Sequence, residues 1–347
     1  MHVAIVWAMT NPTTKLGAGI EVSRMALGCM GMSGVYGKAD EAESIATIHA
    51  ALERGITLLD TGDFYGAGAN EMLIGRALKG HRDRAQLSVK FGVLTAPGGG
   101  FIGADCRPAA VKNALAHTLT RLGVDHIDIY RPARLDPNVP IEDTIGAIAD
   151  LVKAGYVRAI GLSEVGPETI RRAQAVHPIC DLQIEYSLIS RGPEAKIFPL
   201  LAELGIAVTA YGVLSRGLLT GGRPTGPGDF RAHLPRFTGE NLERNQRLVA
   251  TIERLAGARG VRPSQLAIAW VLAKGRSISS STSPSAGPSI VPVIGARTRK
   301  QLEESFGALA IELSASEIAA IEQAVPASEV AGTRYAAPQM QHLDSER

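Results

Sequence analysis

The chain has 347 residues, 45% hydrophobic and 20% charged, enough for one large domain or two ordinary ones with a sizeable core. A net charge of +2 with scattered basic residues excludes a nucleic-acid or membrane-surface footprint, yet leaves room for an anionic ligand held by a few local arginines. Three cysteines, Cys29, Cys106 and Cys180, stand far apart without metal-ligand spacing, so a reducing cytoplasmic protein without metal or structural disulfides is expected.

The opening MHVAIVWAMTNPTTK lacks a basic n-region, and its apolar run is too short for a membrane span. Residues 1–20 therefore read as an N-terminal extension of a soluble protein. Beyond it, strands are predicted at 23–28, 56–60, 86–91, 126–130, 157–162, 180–185, 205–211 and 289–295. Helices are predicted after them at 40–54, 70–79, 107–121, 141–154, 167–176, 194–204, 263–274 and 298–308. Pro108 and Pro263 fall near first turns, where a missing N–H costs nothing.

Eight such units imply a parallel (β/α)8 TIM barrel over residues 1–347. Alternation alone also permits an open doubly wound sheet, although no GxGxxG follows an early strand. Two additional helices, near 240–257 and 313–325, and a long Gly/Pro-rich loop at 212–238 after the seventh strand lie outside the repeat. The Ser-rich segment 276–289 reads as a flexible insert on the face away from the chemistry, and 326–347 as a C-terminal tail.

Barrel strands deliver side chains to one site at their C-terminal ends. Asp60 closes the second strand, Lys90 nearly closes the third, and Tyr65 stands in the loop after Asp60. Singly, these are a helix cap, a solvated lysine and a packed ring. Together they have a chemical purpose. A free tyrosine titrates near ~10, and a neighbouring ammonium lowers that value, with a carboxylate holding the ammonium in place. The phenol then serves as a general acid toward a substrate oxygen, and a nicotinamide supplies the hydride for the carbon.

The blocks LGCMGMSGVYG (27–37), LLDTGDFYGAGANEMLIGRAL, VKFG, PIEDTIGAIADLVKAGYVRAIGLSE, LQIEYSL, YGVLSRGLLTG, VPVIGARTRKQLEES and the terminal RY follow one another along almost the whole chain. In that order they resemble the aldo-keto reductase superfamily, closest to the bacterial and fungal branch with GLSE and a DFR…PRF loop. The resemblance implies a (β/α)8 barrel binding NADP(H), with Tyr65 as proton donor, Lys90 as the lysine that tunes it and Asp60 as that lysine's partner. It places Ser163, Glu164 and Gln183 at the nicotinamide amide and Tyr211 against the nicotinamide ring. Gly212, Leu214, Ser215, Arg216, Gly217 and Leu219 match the loop that closes over the pyrophosphate. Ile294 and Gly295 fall at cofactor positions, Arg297 at the adenosine 2′-phosphate, and Gln301, Glu304 and Ser305 at the adenosine. Many relatives carry Arg and Asn at positions 301 and 305, which leaves Arg297 and Arg299 to hold the 2′-phosphate; NADPH is expected, with NADH the weaker alternative.

The pattern breaks in DIYRPARLDP (128–137), where Ala133 occupies the place of the family's histidine. Alanine cannot donate to the carbonyl, and Arg131 shares its side-chain parity and is predicted to project toward the barrel axis. A similar ARxDP stretch occurs in pyridoxal-reductase-like members, so a small aldehyde is one candidate substrate. Met30, Met32, Tyr36, Phe64, Phe91 and Ala133 are the expected pocket walls. The expected activity is NADPH-dependent reduction of an aldehyde or ketone, with a small carbonyl compound as the only partner and no particular oligomer implied. An NADP(H)-binding sensor with weak turnover and a barrel acting on a phosphorylated sugar are the competing readings.

Overall fold

The computed structural model describes residues 11–347 except Gly98, Pro227 and residues 280–286. An antiparallel hairpin comes first, β1 (Thr13–Lys15) and β2 (Glu21–Ser23). Its turn presses on the barrel floor so closely that a Cβ on Gly17 would lie 2.8 Å from the Cys180 and Gly205 carbonyl oxygens. Leu16 and Val22 join Ala26, Leu58, Ile129 and Val291 in an apolar cluster inside the barrel. This hairpin therefore plugs the N-terminal mouth.

The repeat follows as β3 (Ala26–Gly28), α1 (Glu41–Glu53), β4 (Leu58–Gly62), α2 (Ala69–Ala77) and β5 (Gln86–Phe91). A second small hairpin, β6 (Val93–Thr95) and β7 (Phe101–Ala104), then interrupts it. The chain continues as α3 (Pro108–Leu122), β8 (Ile127–Pro132), α4 (Ile141–Lys153), β9 (Val157–Ser163), α5 (Pro167–Val176), β10 (Ile179–Glu185), α6 (Ile197–Leu204) and β11 (Ala207–Tyr211). The last elements are α7 (Gly239–Ala258), α8 (Pro263–Ser279), β12 (Ile290–Gly295), α9 (Arg299–Phe306), α10 (Ala315–Ala324) and α11 (Ala337–Met340).

Eight strands close in the order β3-β4-β5-β8-β9-β10-β11-β12, each parallel to its neighbours. The fold is the expected (β/α)8 barrel, and all eight predicted strands are its staves. The helices lie outside, and α4 buries one stripe, with Ile141, Ile145, Ile148 and Leu151 facing inward, whereas α8 is buried all round from Leu266 to Ala273. Their ends carry local signals. Pro108 opens α3 and Gly123 closes it in the left-handed region, and the Thr298 side chain accepts the Gln301 N–H at the start of α9.

Several boundaries shift by a few residues, and two of the differences concern features singled out above. Helix α8 runs on through Ser279, so the first four residues of the predicted Ser-rich insert are helical; residues 280–286 lie outside the described residues, as do 1–10 of the predicted extension. Strand β8 continues through Pro132, paired with Phe91, because proline at a strand's last position forfeits no needed donor.

Candidate active site

Side chains alternate in and out along each stave. Leu58 and Ile129 face the apolar plug, so Asp60 and Arg131, two residues further on, take the same inward side at the opposite mouth. Asp60, Ser88, Lys90, Arg131, Asp181, Gln183 and Thr209 are all buried there.

They form two ion pairs joined by one hydroxyl. Lys90 Nζ donates to Asp60 Oδ1 at 2.6 Å and to Gln183 Oε1 at 2.9 Å. Asp60 Oδ2 accepts from Gln183 Nε2 at 2.7 Å and from Ser88 Oγ at 3.1 Å. Ser88 Oγ accepts in turn from Arg131 Nη2 at 2.9 Å, while Arg131 Nη1 donates to Asp181 Oδ2 at 2.8 Å and Thr209 Oγ1 at 3.2 Å. Gly161 of GLSE makes room for that guanidinium, since a Cβ there would sit 2.9 Å from Arg131 Cζ and 2.7 Å from Asp181 Oδ1. Arg131 thus projects to the barrel axis as its parity predicts, but as a structural prop beneath Asp60 and not as a group facing the cleft.

Tyr65 lies in a tight loop in which Gly66 and Ala67 both adopt positive φ, which returns the phenol over the barrel mouth. Its ring packs edge-on to Phe64 at 4.7 Å, and Lys90 Nζ stands 5.2 Å from the ring centroid. The hydroxyl makes no hydrogen bond to a described residue and borders the cleft. Burial, and then the Asp60 carboxylate, hold its pKa well above the ordinary value of 10. The net shift is thus upward, opposite to the net lowering expected from a neighbouring ammonium. Among the cations near the phenol, Arg134 pulls its pKa down. Lys90 itself is lowered from 10.5, first by burial.

A cleft of about 780 Å³ crosses the C-terminal mouth and brings most of the predicted residues together. Asp60, Tyr65, Lys90, Ser163, Gln183 and Tyr211 line its floor, with Met30, Tyr36 and Phe64 on the wall. Gly212, Leu214, Arg216 and Gly217 form one flank, and Ile294, Gly295, Arg297, Gln301, Glu304 and Ser305 the far end. Six predicted residues lie off its wall. Met32, Phe91 and Leu219 belong to the core outside the barrel; Phe91 follows inward-facing Lys90, points outward and stacks on Tyr130 at 4.2 Å. Ser215 is buried behind the loop. Ala133 is fully buried, its N–H donating to the Phe91 carbonyl at 2.9 Å.

Glu164 is the sixth, and its carboxylate is already engaged. It accepts from Arg334 at 3.0 and 2.8 Å, from the Tyr211 hydroxyl at 2.7 Å and from the Ser345 hydroxyl at 2.6 Å. Arg334 holds it well below the usual carboxylate range. The C-terminal tail is thereby docked on the GLSE loop. Asp344 Oδ2 accepts from Gly166 N and Thr169 Oγ1 at 2.8 and 2.7 Å, and Gly166 must be glycine because a Cβ would meet the Asp344 carbonyl oxygen at 2.8 Å.

That docking carries Tyr335 and Gln339 into the cleft wall, where the small hairpin adds Val93, Thr95 and Phe101 and the loop after β8 adds Arg134. Sequence reasoning named none of these as site residues. The terminal RY was the one signal for Tyr335, and Ala133 drew attention past its neighbour Arg134.

The far end of the cleft suits a dinucleotide phosphate. Arg297 has no carboxylate partner among the described residues; its Nη1 donates to the Tyr36 carbonyl at 3.1 Å. Arg299, by contrast, is paired with Glu43 at 2.9 Å on the surface. Among the described residues no His/Cys/Asp/Glu cluster could hold a metal, the three cysteines are free and buried, and no helix is long and apolar enough to cross a membrane.

A closed barrel whose mouth holds a buried Asp–Lys pair, a buried phenol and a long cleft ending at Arg297 defines a barrel oxidoreductase. The sequence pattern of the Aldo/keto reductase family matches residues 24–326, and the chain belongs to that family, whose members act on carbonyl groups. A probable aldo-keto reductase 1 of Glycine max is 42% identical over 332 residues, 92% of this chain and 91% of that one. The glycerol dehydrogenase of Gluconobacter oxydans superposes with a TM-score of 0.78 at 29% identity, covering 91% of this chain and 95% of that chain. An aldo/keto reductase of Klebsiella pneumoniae in complex with NADP and acetate superposes with a TM-score of 0.68 at 25% identity, covering 90% and 95%.

Proposed function

We propose that the protein reduces an aldehyde or ketone to the alcohol with NADPH, and that Tyr65 gives the proton. The observation that carries this reading is the Tyr65 hydroxyl, buried and without a hydrogen-bond partner among the described residues, bordering the cleft beside the Lys90–Asp60 pair. The NADP complex of the Klebsiella relative supports the choice of cofactor. When bound, NADPH supplies the hydride for the carbonyl carbon. Arg297 would take the 2′-phosphate, since a guanidinium makes bidentate contacts to phosphate. Ser163 and Gln183 border the nicotinamide position, and the Tyr211 ring, held by its hydroxyl bond to Glu164, offers a flat face.

Because its pKa is raised, Tyr65 keeps its proton at neutral pH and stands loaded as an acid. Donation to the carbonyl oxygen leaves a phenolate near the Lys90 ammonium, which Asp60 and Gln183 fix in place. Ala133 supplies no second donor, at a cost of about 3 kcal/mol of transition-state stabilisation relative to a site that has one. Buried, reduced cysteines support a reducing compartment such as the cytoplasm. Tyr65→Phe should lower kcat for NADPH-dependent aldehyde reduction by roughly 10²–10⁴-fold. Equal turnover by the phenylalanine variant would remove Tyr65 from the chemistry.

A further inference from the structure

Four arginines line the cleft. Arg216 is paired with Glu185 at 2.9 Å and Arg231 with Asp229 at 2.7 Å. Arg297 and Arg134 have no carboxylate partner among the described residues. Arg297 stands at the end suited to the dinucleotide phosphate. Arg134 stands on the substrate side, on the loop after β8, with Tyr65 within reach of its field.

The Arg134 guanidinium has two contacts. Its Nη1 donates to the Ala133 carbonyl at 2.6 Å, and its Cζ lies 5.9 Å from the centre of the Tyr335 ring. The buried carboxylates on this side, Glu164 and Glu185, are already shared by Arg216, Arg236 and Arg334. A guanidinium cannot shed its charge, so Arg134 keeps an uncompensated positive charge in a largely desolvated wall. Next to it is a small side cavity of about 70 Å³, lined by Phe101, Arg134, Tyr335, Gln339, His342 and Leu343. Four of those residues also border the main cleft, so a substrate reaching toward Tyr65 can place a substituent there.

We infer that Arg134 and this side cavity form a carboxylate-recognition subsite, and that the preferred substrates are aldehydes or ketones bearing a carboxylate. One fixed fork surrounded by the neutral donors of Tyr335 and Gln339 suits a monoanion; a phosphate dianion calls for a second cation that the cavity does not offer. The inference rests on the carbonyl-reductase reading, and the test separates the two.

With NADPH, kcat/KM is measured for 4-carboxybenzaldehyde and for methyl 4-formylbenzoate, and their ratio is taken. The wild-type ratio should exceed 10, and Arg134→Gln should cut it roughly 30-fold, mainly through KM for the acid. Arg134→Lys, which keeps the charge and loses the fork, should retain part of it; its melting curve and that of the glutamine variant show whether each is folded. A wild-type ratio near one, or a ratio unmoved in both variants, overturns the subsite. Calorimetric binding of benzoate to the NADP+-loaded protein reads the same site without turnover and should weaken at least tenfold in Arg134→Gln. Benzoate binding that depends on Arg134, with neither aldehyde reduced by wild type, would sink the reductase reading and leave the subsite standing.

Discussion

Arg131 and Arg134 are three residues apart at one strand end and meet opposite fates. Arg131 points down the barrel, fully buried, and spends its guanidinium on Asp181, Thr209 and Ser88. Arg134 borders the cleft and, among the described residues, finds only a backbone carbonyl and a tyrosine ring. The first charge is cancelled by the scaffold and the second is left for a ligand. A buried cation is therefore informative about function only after its partners have been counted. Asp63 supplies a third case: a carboxyl with one oxygen unbonded, which burial and Glu71 push up to about 7. An uncompensated acid can take up a proton, whereas an uncompensated arginine waits for an anion.

Breaking the cancelled pair should have the largest effect. Arg131→Met strands the Asp181 carboxylate and should lower the unfolding free energy by about 3–5 kcal/mol in urea titration. Replacing both partners, Arg131→Met with Asp181→Leu, should recover most of that loss. A silent single variant would erase the distinction between the two arginines.

Removing the other uncompensated cleft cation comes next. Arg297→Met should narrow the preference for NADPH over NADH by roughly 10–100-fold in kcat/KM, the loss of a charge-assisted phosphate contact.

The smallest effect belongs to Asp63. Its folded pKa lies above the unfolded one near 3.8, so the stability tied to its proton is complete below about pH 4 and fades as pH rises through 7. Asp63→Asn should flatten that slope and gain on the order of 1 kcal/mol at pH 8, trimmed by solvent access to the half-buried side chain.

Much of this was legible in the sequence because barrels are periodic. The eight apolar runs marked the staves, the acid ending ITLLD and the lysine in QLSVKF marked strand ends, and parity sent Arg131 inward. What stayed hidden depends on contacts far apart in the chain. Whether Arg134 has a partner depends on which arginines occupy Glu164 and Glu185, and those come from positions 216, 236 and 334. Glu164 reads as a cofactor contact through the resemblance of GLSE, and nothing local reveals that Arg334 engages its carboxylate. The strands in VLTAPGGGFIGA escaped notice because glycine-rich segments carry no clear alternation. The phenol's raised pKa escaped for a related reason: burial, its largest cause, is set by contacts that only the folded chain makes.

The docked tail separates durability from selectivity. The barrel closes through β12 and is covered by α9 and α10 before residue 325, so a protease cutting after Val325 would spare every stave. Such a clipped protein would forfeit Tyr335 and Gln339 from the wall and uncover Glu164 at once. Trimming the far end of the chain should thus broaden what the cleft accepts well before it melts the fold.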